Sequence, residues 1–239
     1  MIGRENERCF PLAALRSHGA TLGRKRKPSG SGTGALAIGY AKSRSGKRAV
    51  QYELMVTALG GTSSRDGASL VLPMNHFTPS TPVEILETEY PVMVRRYDLW
   101  RDSAGAGEFR GGIGHVREYE LLTDCMLTAR TSNHKFGAWG LLGGKGPPTS
   151  HTYIEHDDSG CEELGPLAQR EAKLGSVLRL EQSGGAGYGS PLKRAVERVL
   201  EDVLNERAHL LAPLGAGILG ENAVTPVGEL LEAVAHWVN

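Results

Sequence analysis

Between residues 35 and 59 two apolar stretches flank a polar run at 42–48, with Ser45-Gly46-Lys47 at its centre. That pattern predicts a β-hairpin. Val83 and Ile85, then Val92 and Val94, alternate with other residues and predict a half-buried strand. Val116, Tyr119, Leu121 and Leu122 continue this style after the Gly111-Gly112-Ile113-Gly114 turn, and Met126 and Leu127 lead into another strand. Residues 130–148 read as a loop, punctuated by glycines and the Pro147-Pro148 pair. Short strands are expected at 153–155 and 177–181, with a glycine loop at 183–190. The period then changes. Leu192, Val196, Val199, Leu200, Val203 and Leu204 fall at helical spacing, and Pro191 suits a first turn, where its missing N–H costs nothing. The opposite face carries Lys193, Arg194, Glu197, Arg198, Glu201 and Asp202. A second helix is expected over 227–238, after a flexible connector at 214–220. The fold class is therefore α+β: a β-rich core with glycine-rich loops and C-terminal helices.

Composition adds two points. Glycine is the outlier at 32 of 239 residues, about twice average usage, so tight turns and irregular backbone should be frequent. The 27 basic and 27 acidic residues cancel, so no net field points to nucleic acid or a membrane. Arg24, Lys25, Arg26 and Lys27 sit in a Gly/Ser/Pro-rich run that reads as a solvated flexible tail. Three regions follow: a basic N-terminal segment at 1–34, a main region at 35–207 and a divergent helical tail at 208–239. Cys9, Cys125 and Cys161 are far apart and odd in number, so a disulfide framework is disfavoured and a reducing cytoplasm is expected. No apolar run reaches transmembrane length, and Arg4, Glu5, Glu7 and Arg8 do not suit a signal peptide.

Most motifs fail on inspection. Gly143-Gly144-Lys145-Gly146 approaches a phosphate loop, but its first glycine falls at Trp139 and Gly146 replaces the magnesium-binding Ser/Thr. The run Gly185 to Gly189 is not G-x-G-x-x-G and lacks a βαβ unit. There is no G-x-S-x-G elbow and no H-x-x-x-H pair. His151, Glu155, His156, Asp157 and Asp158 are dense, but Asp157-Asp158-Ser159-Gly160 reads as a plain turn. Metal: none is the expectation. His134-Lys135 stands out, a titratable imidazole beside an ammonium, between Arg130 and the Trp139-Gly140 loop. Such a pair is more often surface chemistry than catalysis.

Five segments together resemble the hydantoinase B/oxoprolinase family, which includes subunits of acetone and acetophenone carboxylases. They are Thr81-Pro82-Val83-Glu84-Ile85-Leu86-Glu87 with Tyr90-Pro91-Val92; the run from Arg101 to Gly114 with Val116-Arg117-Glu118-Tyr119; Arg130 with His134-Lys135-Phe136, Trp139-Gly140-Leu141 and Gly143-Gly144; Gly184-Gly185-Ala186-Gly187-Tyr188-Gly189 with Pro191-Leu192; and Val199-Leu200-Glu201-Asp202-Val203. Their order over residues 38–205 makes the match specific. Departures are Met74 where His is usual, Asn133 where Arg is common, Ala186 within the glycine run and Ser190 where Asp is common.

The resemblance implies an ATP-dependent cyclic-amide hydrolase of the hydantoinase or 5-oxoprolinase type, with an acetone-type carboxylase as the alternative. ATP is expected on a separate A-type partner subunit, with no cofactor bound by this chain. In some members a divalent metal belongs to a region upstream of the matched part. The chain is expected to be a truncated subunit, inactive alone. A homo-oligomer is a further expected assembly, and a non-catalytic scaffold and a decayed reading frame are the other readings. The catalytic candidates are Arg130, His134 and Lys135. The substrate-binding candidates are Gly184, Gly185, Gly187, Tyr188 and Gly189, whose backbone N–H groups could hold a phosphorylated intermediate.

Overall fold

Alternating burial along the strands creates two antiparallel sheets over one core. The computed structural model describes residues 34–55, 58–71, 80–156 and 160–208, with Pro28, Gly30 and Gly32. The elements are β1 (Gly34–Tyr40), β2 (Ala49–Met55), α1 (Val83–Glu89), β3 (Val92–Trp100), β4 (Gly114–Leu121), β5 (Cys125–Thr131), β6 (His151–His156), β7 (Gly160–Glu163), β8 (Leu167–Ala172), β9 (Val177–Gln182), a 3-10 turn (Pro191–Lys193) and α2 (Val196–Leu204). One sheet runs β2-β1-β5-β8 and the other β3-β4-β9-β6-β7. Strict alternation on β1 and β5 turns Leu36, Ile38, Cys125 and Leu127 inward, into one core with Tyr119, Leu121, Ile154, Leu178 and Leu180 of the second sheet.

The expected hairpin is β1–β2. Its turn closes with Gly46 N–H donating to the Ser43 carbonyl at 2.9 Å, and Gly46 takes φ +81°. The strands expected around Val92, Val116, Met126, Tyr153 and Val177 also form. Val83 and Ile85 do not lie on a strand, however. Pro82 starts α1, accepting from the N–H groups of Ile85 and Leu86, and Leu86 is the helix's buried residue. Val83 and Leu86 are three apart, a helical spacing that the apparent alternation concealed. Strands β7 and β8 were not expected. All of β7 is exposed, as suits a short charged edge. The sequence of β8 favours helix, but its pairing along β5 decides its state.

The first expected C-terminal helix is split. Arg194 leaves the 3-10 turn extended, at φ −67° and ψ 128°. There it bonds Asp66 at 2.8 Å and Asp202 at 2.7 Å. Asp202 is the buried residue of α2, whereas Leu192, Val196 and Leu204 are exposed. The polar face therefore docks through ion pairs and part of the apolar face looks outward. The helix expected at 227–238 and the 214–220 connector lie outside the described residues, as does nearly all of 1–33. No helix among the described residues is long and apolar enough to cross a membrane.

Candidate functional site

Strand β5 ends at Thr131, and the chain then turns sharply through Asn133 at φ +66°. The turn brings His134 back over the strand end, with its Nε2 2.5 Å from the buried Thr131 hydroxyl. Strand β6, of the other sheet, begins beside this turn. The Ser150 N–H donates to the Asn133 carbonyl at 3.0 Å, and the Thr152 hydroxyl lies 3.5 Å from that of Thr131. His151 Nδ1 is 2.6 Å from Glu163 on β7, and its Nε2 is 3.3 Å from the Thr149 hydroxyl. The His151 ring stacks on Tyr153, with centroids 5.8 Å apart.

Burial lowers the pKa of His134; the charge of nearby His151 lowers it further, and Glu163 pulls the other way. At neutral pH His134 is thus an uncharged imidazole that exchanges a hydrogen bond with Thr131. It is not part of the cationic cluster that a His-Lys pair suggests. Lys135 and Arg130 are both exposed, Arg130 on β5 opposite Ala35 and Leu167.

The glycine loop occupies a different role from the expected one. Residues 183–189 are buried, and the N–H groups of the five substrate-binding candidates are all bonded to backbone carbonyls. Gly184 donates to Ser103, Gly185 to Gly112, Gly187 to Lys145, Tyr188 to Phe109 and Gly189 to Leu141, all at 2.8–2.9 Å. The side chains that would fill this space are absent because backbones pass too closely: a Cβ on Gly185 would overlap the Leu59 carbonyl, and one on Gly111 the Gly185 carbonyl. The loop is a backbone knot and not a cradle of free donors. It meets the His134 turn at its start, where Asn133 Nδ2 lies 3.5 Å from Ser183 Oγ.

Thr131, Thr149, His151 and Glu163 stand outside the site that the sequence suggests. The sequence marks His151 only within a metal reading, and its spacing from Thr149 and Tyr153, alternate positions on an extended chain, is the available signal. Residues 157–159 of that reading lie outside the described residues. Among the described residues no three His, Cys, Asp or Glu side chains are grouped so as to hold a metal ion.

The model of the hydantoinase B/oxoprolinase family matches residues 15–191. The B-type subunit of a putative D-/L-hydantoinase from Pseudomonas sp. (strain NS671) is 34% identical over 158 residues, 65% of this chain and 27% of its own length. The beta subunit of caprolactamase from Pseudomonas jessenii is 31% identical over 189 residues, 76% of this chain and 32% of its own. The crystal structure of ATP-dependent caprolactamase from Pseudomonas jessenii superposes with a TM-score of 0.68 at 26% identity, over 83% of this chain and 35% of that one. Nucleotide-free acetone carboxylase gives 0.69 at 15% identity, over 85% and 33%, and shows a shared fold alone. The matched region thus spans a third or less of the relatives' length.

Proposed function

The chain belongs to the hydantoinase B/oxoprolinase family, and from that premise we propose that it is a portion of the B-type subunit of an ATP-dependent cyclic-amide hydrolase. The observation that carries this is the 31% identity to a caprolactamase beta subunit across 76% of the chain. Energy from ATP enters at an A-type partner, and this chain contributes to the hydrolytic half of the reaction. Ring opening requires a polarised amide carbonyl and a proton for the departing nitrogen. Neutral His134, backed by the Thr131 hydroxyl, suits hydrogen bonding to the polarised carbonyl, and exposed Lys135 suits an anionic group beside it.

Partner docking is in keeping with the surface. Val50 and Tyr52 on β2 and Met126 on β5 are exposed on the outer side of the first sheet, with Ala37 and Gly39 of β1 between them. Contiguous exposed apolar positions of this kind mark association surfaces. The test is to co-produce the chain with an A-type subunit and follow ATP hydrolysis with ring opening of caprolactam, hydantoin and 5-oxoproline. Coupled turnover of one of them by the complex, and none by the chain alone, is the expected result. Partner-independent ring opening, or a complex that opens none of them, overturns the reading.

A further inference from the structure

Thr149 and His151 occupy alternate positions of an extended segment, so their side chains emerge on one side. Glu163 comes from β7, whose register sets it opposite Tyr153, diagonal to His151. The Glu163 carboxylate can only accept a hydrogen bond, so at 2.6 Å it fixes the proton on Nδ1 of His151. Nε2 then carries the lone pair, facing the Thr149 hydroxyl at 3.3 Å. Tyr153, stacked at an interplanar angle of 12°, holds the plane of the ring. Hydroxyl, imidazole and carboxylate in this order form the arrangement in which a base is oriented by a third group. The other charged or titratable groups facing His151 are His134 on the preceding turn and Glu181, its register partner on β9, which is itself paired with Arg179.

We propose that Thr149, His151 and Glu163 form a proton relay in which His151 is the general base for water attack on a carbonyl bound beside His134. The water oxygen bonds to the carbonyl carbon and its proton passes to His151 Nε2. The bond from carbon to the ring nitrogen breaks, and the same proton is delivered to that nitrogen. Glu163 is a positioning residue, and the Thr149 hydroxyl gives up Nε2 to the water and orients it. This inference rests on the hydrolase reading for its natural substrate, but its chemistry requires neither ATP nor a partner.

The primary test therefore uses the purified chain and 4-nitrophenyl acetate, an activated ester. His151→Gln should remove most of the histidine-dependent rate and abolish a normal solvent deuterium isotope effect. Glu163→Gln should slow the reaction and Glu163→Asp should restore part of it. Thr149→Val should cause a smaller loss, and His156→Gln, whose ring bonds Ser176 at 3.2 Å, should behave as the parent. Unfolding midpoints of each variant are compared with the parent; if His151→Gln does not fold, the Glu163 pair and Thr149→Val decide. A wild-type rate in His151→Gln, no recovery with Glu163→Asp, or an acyl adduct on Thr149 or His151 by mass spectrometry overturns the proposal. In the partnered complex His151→Gln should lower ring opening about a hundredfold, the scale of a lost general base. A complex inert in the parent form overturns the hydrolase reading while leaving the ester result to judge the relay.

Discussion

The loops at 101–114, 140–146 and 183–190 and the strand edge carrying His134 and His151 solve opposite problems. The glycine runs of these loops carry little side chain, and many of their backbone amides bond other backbone, as from Gly185 to Gly112 and from Gly105 to Gly185. The strand edge keeps its backbone in regular ladders and leaves side chains to do the pairing, as in Thr131 with His134 and His151 with Glu163. A run of glycines thus signals close packing here, and the residues proposed for the chemistry lie where ordinary strands end. Function placed on side chains held by a rigid scaffold is the general pattern.

The largest effect should come from adding one methyl to the knot. Gly111→Ala drives a Cβ into the Gly185 carbonyl, a backbone atom that has no rotamer by which to yield. Loss of about 3 kcal/mol or more is expected, seen in urea denaturation as lost cooperativity or a collapsed midpoint. A near-normal midpoint would return the glycines to the role of adaptable loop.

Next comes the clamp that ties α2 to the knot. Asp202 accepts from Arg110 at 2.9 Å and Arg194 at 2.7 Å, with all three side chains largely buried. Asp202→Ala leaves the Arg110 guanidinium without its carboxylate, while Arg194 keeps Asp66, and should cost about 3 kcal/mol. Asp66 adds a pH signature. Burial raises its pKa, but the hydrogen bond and charge of Arg194, with help from Arg110, win and hold it below the ordinary carboxylate value. Its contribution is therefore complete above about pH 4 and is lost as pH falls through the lowered value, which acid titration of stability with and without Asp66→Asn would resolve.

The amphipathic reading of 191–204 shows how far the sequence alone reaches. Periodicity locates the helix but assigns its inward face from apolar residues, while the ion pairs of Arg194 and Asp202 turn the other face in. Sequence spacing cannot reveal a partner 128 positions away, the separation of Arg194 from Asp66. The same limit hides β8, which forms because β5 lies beside it, and the Glu163 that completes His151. Strands with local alternation, such as β1 and β5, are legible because a half-buried sheet writes its period directly into the chain. His134 is legible as a residue type at a loop. Its hydrogen bond to Thr131 becomes legible only once the turn at Asn133 folds it back.

A smaller effect belongs to His115, fully buried on β4, with both ring nitrogens lacking a hydrogen-bond partner. Burial, then the charge of Arg117, pushes its pKa down to about 3. The unfolded chain takes up the proton below its ordinary value of about 6.5 while the fold resists, so stability falls as pH drops through that window. The full loss, on the order of a few kcal/mol, is reached only near the folded value. His115→Leu should flatten this acid dependence with little change at pH 7, because no bonded polar group is removed. An unchanged acid profile would show that the ring finds a partner in solution.

The smallest change in stability, and the one that bears most directly on the contrast between knot and edge, is expected at His134. Its ring is partly exposed and hydrogen-bonds the Thr131 hydroxyl, so His134→Ala should alter stability by about 1 kcal/mol or less. Turnover in the partnered complex should nevertheless fall about a hundredfold, the typical loss of one aimed polar group at a reacting centre. The lowered pKa sets the sign of the pH response. A step that needs the neutral ring should persist below the ordinary histidine value and fade as pH drops through the lowered one, whereas a step that needs a cation would strengthen over the same range. Thr131→Val separates the two contributions, since it removes the hydroxyl that fixes the ring and leaves the imidazole in place. A parent-like rate in His134→Ala would reduce the edge to structure, and the contrast with the glycine knot would then be one of packing alone.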